Sequence, residues 1–507
     1  MWGLLVAGPT MTGCRVNDND VKRWGSTEHG PDKLVAVVTH DKYEWPLRVE
    51  AGLELLGMRP RNGRRIGINR LVDATAQMGV EDRKRFLAEL LPGLIAGIQR
   101  APGNDPAGDP SIPFKDGAMA LLTYDKVQLI ADDDARKKVT DALIDWLEHD
   151  FERRLDNTSQ MFGLEQMVRA LGSPAVKGFP ALITTDSTKF DRIASLVADF
   201  GDPETREAAG RKLVELARFT NSSAWIEKTK PVVDEANRAS KLNPTPQQRE
   251  AQLKQYQDEA LTKVFASLKK IGTRAAVEYC LEVAVDKAQD PKRRQAALAA
   301  LEGRLDKNNA GDIEKVLALA AQDDTPDEVR DIAFLRVGEM PREQVVDKLY
   351  GLFSAKKWKV RWVAADTVLK MSSTDQLDEF MSKLPGGAAT GFAIGEPLKY
   401  GDAIGRMTVK DGKKPRDAVL PFMSEHGVGL APRLTALGYF YATGTSSDLQ
   451  VVNAFAQDKT PTPKIDDPDG KWQCQVARGD GKDPEVRDIK TVGEFVTLCV
   501  VPAISGR

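Results

Sequence analysis

Thiols and imidazoles are the scarcest reactive side chains in this chain. There are four cysteines (Cys14, Cys280, Cys474, Cys499) and four histidines (His29, His40, His149, His426) in 507 residues. A zinc site needs these residues a few positions apart in pairs, and no such pairing occurs. HExxH, P-loop and GxSxG patterns, which would supply a metal-bound water, a phosphate cradle or an activated serine, are also absent. Glu148-His149-Asp150 and Glu425-His426 place acids beside histidines but have no nucleophile in frame, so they read as solvated faces. The expectation is therefore no catalytic residue, no metal and no cofactor. What remains for the thiols is to accept a lipid or to join one another.

Cys14 stands at the end of an apolar leader, MWGLLVAGPTMTGC, and is followed by polar residues 15–33. Small residues before a cut let a peptidase reach the backbone, and a thiol accepts a diacylglyceryl group. Met11-Thr12-Gly13-Cys14 resembles the lipobox of bacterial lipoproteins, although a basic n-region is missing and the first positive charge is Arg15. The resemblance implies lipidation at Cys14, a membrane anchor, and residues 15–33 as a flexible tether.

Cys474 and Cys499 lie in WQCQV and FVTLCVV, both of which read as short strands. Two readings stay open: a bridge between strands of a terminal hairpin in an oxidising compartment, or two buried free thiols. Cys280 sits in a helical pattern, AVEYCL, and reads as a core residue.

The elements that must position these residues announce themselves by a repeated phrase. An Arg is followed three residues later by Ala and four after that by a large apolar residue. It occurs as Arg48/Ala51/Leu55, Arg206/Ala209/Leu213, Arg294/Ala297/Leu301, Arg330/Ala333/Val337, Arg361/Ala364/Val368 and Arg433/Ala436/Phe440. Ala at that offset lets two helices approach, and the apolar residue lies on the same face. Asp202-Pro203 and Asp290-Pro291 precede two copies at one offset, as N-cap and first-turn proline. The frame Asp-Pro-x-x-Arg-x-x-Ala-x-x-x-Leu resembles HEAT repeats of the short bacterial type. That resemblance implies an all-α, right-handed α-solenoid of helix pairs that binds partners on one face and performs no chemistry. Asp202, Arg206, Asp290, Arg294, Arg330, Arg361 and Arg433 are expected to form a structural ladder, each Arg reaching back to an Asp or a carbonyl in the turn.

The expected organisation is a signal over 1–14, a tether over 15–33 and a helical array over 34–218. A polar insertion or inter-array helix follows over 219–257, then a second array over 258–463 and a small strand-containing cap over 464–507. With 72 Lys+Arg against 74 Asp+Glu the chain has no broad basic footprint, which excludes general nucleic-acid binding.

One helix start departs from the phrase. Trp358 and Trp362 are four apart and flanked by Lys356, Lys357, Lys359 and Arg361. They could grip an anionic or carbohydrate partner, with Trp358, Trp362, Lys357 and Lys359 as the candidate partner-binding residues; the alternative is packing on the next repeat. The sequence thus points to a non-catalytic protein-interaction scaffold. Its expected place is the bacterial cell envelope, lipid-anchored, outer-membrane or periplasm-facing, docking another envelope protein, with no nucleic acid and no small-molecule substrate. The alternatives are an enzyme on a HEAT-like frame, bilin-lyase-like or DNA-glycosylase-like, and a cytoplasmic location.

Overall fold

The repeated phrase is the core of the molecule. In a computed structural model, all six of its Ala positions (51, 209, 297, 333, 364, 436) are fully buried, and so are the apolar residues seven after each Arg, to within 1%. Burying each such side chain stabilises the fold by about 1.5–3 kcal/mol for the large ones. The structure describes residues 16–61, 63–102, 108–149, 151–155, 160–386, 389–423, 428–476 and 484–506. Cys14 and its leader lie outside the described residues.

The chain divides into two compact units, residues 1–253 with 273–275 and residues 254–272 with 276–507. In the first unit, helices stack in two layers. Gly30–Thr39, Ile66–Gln77 and Ile112–Leu122 follow one another in one layer, and Trp45–Gly57, Val80–Ile98 and Asp133–Glu148 in the other. The pair Phe190–Phe200 and Pro203–Thr220 comes later in the same unit. Asp202 caps the second of these, its Oδ1 accepting from the Thr205 N–H at 2.7 Å, with Pro203 in the first turn.

The second unit repeats this logic. Pro291–Ala300, Asp327–Val337, Trp358–Lys370, Gly395–Gly405 and Leu430–Thr443 lie side by side in chain order. Ala310–Ala321 and Arg342–Gly351 pack as first helices against the second and third of that row. Gly395–Gly405 and Leu430–Thr443 pack backbone to backbone: a Cβ at Gly438 would lie 2.0 Å from the Pro397 carbonyl oxygen. All-α helix pairs in register, with one two-stranded sheet among the described residues, are the architecture of an α-solenoid.

Two expectations change, the tether and the cap. Residues 15–33 are not a tether through their described part, because Asp18–Trp24 is a helix. Asn17 and Asp20 form a capping box, and Val21 is fully buried. Of the two readings of the polar 219–257 stretch the structure has the helical one, as Ser223–Ala239 and the start of Pro246–Ile271.

The cap is only partly strand. β1 (Gln473–Val476) and β2 (Glu485–Asp488) pair antiparallel, but the Cys499 segment is helical, within Val496–Val500. A β-branched run has strand propensity, yet here it packs as a helix against the last repeat, where tertiary burial overrides propensity.

Candidate partner-binding groove

The arginines of the phrase show first what is not the site. Arg48 Nε donates to the Val38 carbonyl at 2.8 Å, Arg294 Nε to Ala284 at 2.9 Å, and Arg330 Nε to Ala320 at 3.2 Å. Each acceptor lies ten residues back, in the last turn of the preceding helix. A helix leaves its final carbonyls unsatisfied and carries partial negative charge there, so a guanidinium is the natural cap. Arg330 goes further, taking the carbonyls of Gln322 and Thr325 at 3.1 and 2.8 Å and pairing with Asp327.

Of the two expected acceptors, an Asp or a turn carbonyl, the carbonyl is the one Arg330 and Arg361 find in the turn, and pairing with Asp202 and Asp290 is corrected. Asp202 and Asp290 spend their carboxylates on their own helix N-termini, and Asp290 also pairs with Lys254 at 3.0 Å. Arg206 has no such rung; its Nε is buried without a hydrogen-bond partner among the described residues. Arg361 takes the carbonyls of its turn, Ala355 at 2.7 Å and Lys356 at 3.2 Å, and the last two arginines add carboxylates. Arg361 forks onto Glu396, at 3.0 and 2.7 Å, and Arg433 pairs with Asp458 at 2.7 Å. Glu396 is 1% exposed and also accepts from the Tyr400 hydroxyl at 3.0 Å. Burial beside Glu396 holds that hydroxyl well above its usual range.

A second closed polar site lies in the first unit and was not legible in the sequence. Lys115 and Asp116 are fully buried and 2.7 Å apart. Lys115 Nζ also donates to the Phe162 carbonyl at 2.6 Å, and Asp116 accepts from the Met161 and Phe162 N–H groups, with Arg65 Nε 3.3 Å away. Burial pushes the ammonium down to about 8 despite Asp116. Its partners are protein groups that tie residues 160–162 to the helix Ile112–Leu122. Among the described residues no group of three His, Cys, Asp or Glu is arranged to hold a metal ion.

The open site is in the second unit. A groove of about 610 Å³ runs between the helices Asp327–Val337 and Trp358–Lys370. Asp331 and Leu335 come from one wall, Trp362 and Asp366 from the other, with Arg336 between Glu302 and Glu339. Leu335 is 57% exposed, because it falls off the buried stripe of Val329, Ala333, Phe334 and Val337. Asp331 makes no hydrogen bond or ion pair among the described residues. Asp331 is exposed at the groove's edge, and its carboxyl is raised by partial desolvation there and then by the neighbouring Asp327, against Arg330.

The structure separates the candidate Trp and Lys residues. Trp362 is half-buried in the groove, with Lys399 Nζ 4.0 Å from its ring centroid. Trp358 is buried and packs on the next helix, where a Cβ at Gly395 would lie 2.8 Å from its ring. Lys357 reaches the Asp323 carbonyl and Lys359 lies 3.5 Å from Asp469, so neither lines the groove. Cys474 and Cys499 are joined, with Cα atoms 5.9 Å apart, and Cys280 is a buried free thiol pushed up to about 12 by burial.

No family model matches the chain, and no curated protein matches it. Among solved structures it is similar to the crystal structure of Kap121p bound to Pho4p, at 10% identity and a TM-score of 0.25, covering 96% of this chain and 50% of that one. The chain thus spans half the length of that relative, and so low a score supports no argument. What the helix pairing itself gives is the architecture, an all-α solenoid of helix pairs.

Proposed function

We propose that this chain is a non-catalytic protein-interaction scaffold whose partner docks in the groove between Asp327–Val337 and Trp358–Lys370. One observation carries the reading: an exposed Leu335 faces a groove that also holds Trp362, on a helix whose Val329, Phe334 and Val337 are buried. Exposed apolar groups rimmed by charge are what protein interfaces use. We also place the protein in the bacterial cell envelope, held by lipid on Cys14 and docking another envelope protein. The leader ending in Gly13-Cys14 supports this, as does the Cys474–Cys499 pair, whose bond persists in oxidising compartments. No observation among the described residues favours the lyase-like or glycosylase-like alternative.

The anchor is tested by fractionation and mass spectrometry. Wild-type protein should partition with detergent-solubilised membrane and carry a lipidated Cys14, and Cys14→Ser should move it to the soluble fraction. A soluble wild-type protein retaining an unmodified Cys14 contradicts the anchor.

A further inference from the structure

We infer that the groove takes a segment of a partner protein in which a cationic side chain, Arg or Lys, sits beside a large apolar one. The cation is for Asp331 and the apolar group for the space between Leu335 and Trp362. This rests on the groove being the docking face.

Charge complementarity selects the cation. The groove holds four carboxylates, Glu302, Asp331, Glu339 and Asp366, against two cations, Arg336 and Lys370. Three of the four are already engaged. Glu302 pairs with Lys269, Glu339 accepts from the Gly303 N–H at 2.9 Å and lies 3.0 Å from Arg336, and Asp366 pairs with Lys370 at 2.6 Å. Asp331 alone lacks an ion pair among the described residues; Asp327 and Glu328 act on it as like charges, and the adjacent Arg330, which offsets them in part, is committed to Asp327. An incoming ammonium or guanidinium relieves that repulsion, whereas an incoming carboxylate adds to it.

Two further features shape the rest of the segment. Lys399 already occupies one face of Trp362, so a second cation gains little there and the remaining ring surface suits an apolar group. Arg336 is 7% exposed, and its Nε has no hydrogen-bond partner among the described residues. That nitrogen is closed off from solvent, so the bound segment meets the charge of Arg336 only as it stands, already paired with Glu339. The groove's size matches one or two side chains entering from a chain lying along the helices.

The test titrates the full chain with labelled peptides of one length, read by fluorescence polarisation. In three matched sets an Arg, a Gln or a Glu stands beside a Leu-Phe pair. The Arg set should bind tightest. Asp331→Asn should weaken that set about five- to tenfold and leave the Gln set unchanged. Leu335→Ser and Trp362→Ala should weaken the Arg and Gln sets alike, with thermal midpoints of both variants confirming the fold. If the Glu set binds as tightly as the Arg set, or Asp331→Asn changes nothing while Leu335→Ser and Trp362→Ala still weaken binding, the charge inference falls and the groove survives. If no set responds to Leu335→Ser or Trp362→Ala, the groove itself is wrong.

Discussion

Arg330 and Asp331 are adjacent on one helix and face opposite fates. Arg330 is 1% exposed and its guanidinium is satisfied by three carbonyls and Asp327. Asp331, one residue on, faces the groove with no ion-pair partner among the described residues, and Leu335 stands exposed one turn further along. The same contrast separates Trp358, packed against Gly395, from Trp362, which lines the groove. The lesson is that the repeated phrase is internal architecture. Residues that leave its register are where a partner can act.

Breaking the closed side should cost stability without touching binding. The largest loss is expected at Glu396→Ala, which leaves Arg361 buried without its carboxylate and costs about 3–5 kcal/mol in denaturant unfolding. Stability should also depend on pH through Lys115. Its folded value, about 8, lies below the ordinary 10.5, so its contribution is present above about 10.5 and lost as pH falls through about 8. Wild-type stability should therefore rise between those limits by up to about 3 kcal/mol, and Lys115→Met should abolish the rise. Arg330→Met strands three carbonyls of one turn and should cost about 2–3 kcal/mol. Asp290→Ala removes an N-cap and should cost about 1 kcal/mol.

Breaking the open side should do the reverse. Leu335→Ser should change unfolding free energy by no more than about 0.5 kcal/mol, because an exposed side chain contributes little to folding. A loss above about 2 kcal/mol there would mean that Leu335 belongs to the core and that the two faces do not differ.

Much of the closed side was legible in the sequence. Arg-x-x-Ala-x-x-x-apolar fixed the buried face of each second helix, and Asp202-Pro203 marked a true helix start. The acceptor of each Arg was not legible. A carbonyl ten residues back carries no signal in its residue type, while the nearby Asp invited a pairing that its own helix N-terminus pre-empts. The Asn17–Asp20 stretch read as tether because capping residues are polar, and Cys499 read as strand because Val and Thr favour strands in isolation. Leu335 alone carried a faint signal, being apolar and out of phase with the buried stripe. Asp331 carried none, since its meaning depends on Trp362 arriving from the next helix pair.

The most direct test is site-specific photo-crosslinking in intact cells. A benzoylphenylalanine is placed in turn at Leu335, at Trp362 and at Val409, which is 50% exposed but away from the groove. One protein adduct shared by positions 335 and 362 is expected, with none at 409 and loss of the adduct in the presence of the Arg-bearing peptide. Equal labelling at all three positions, or none at 335 and 362, would contradict docking in the groove.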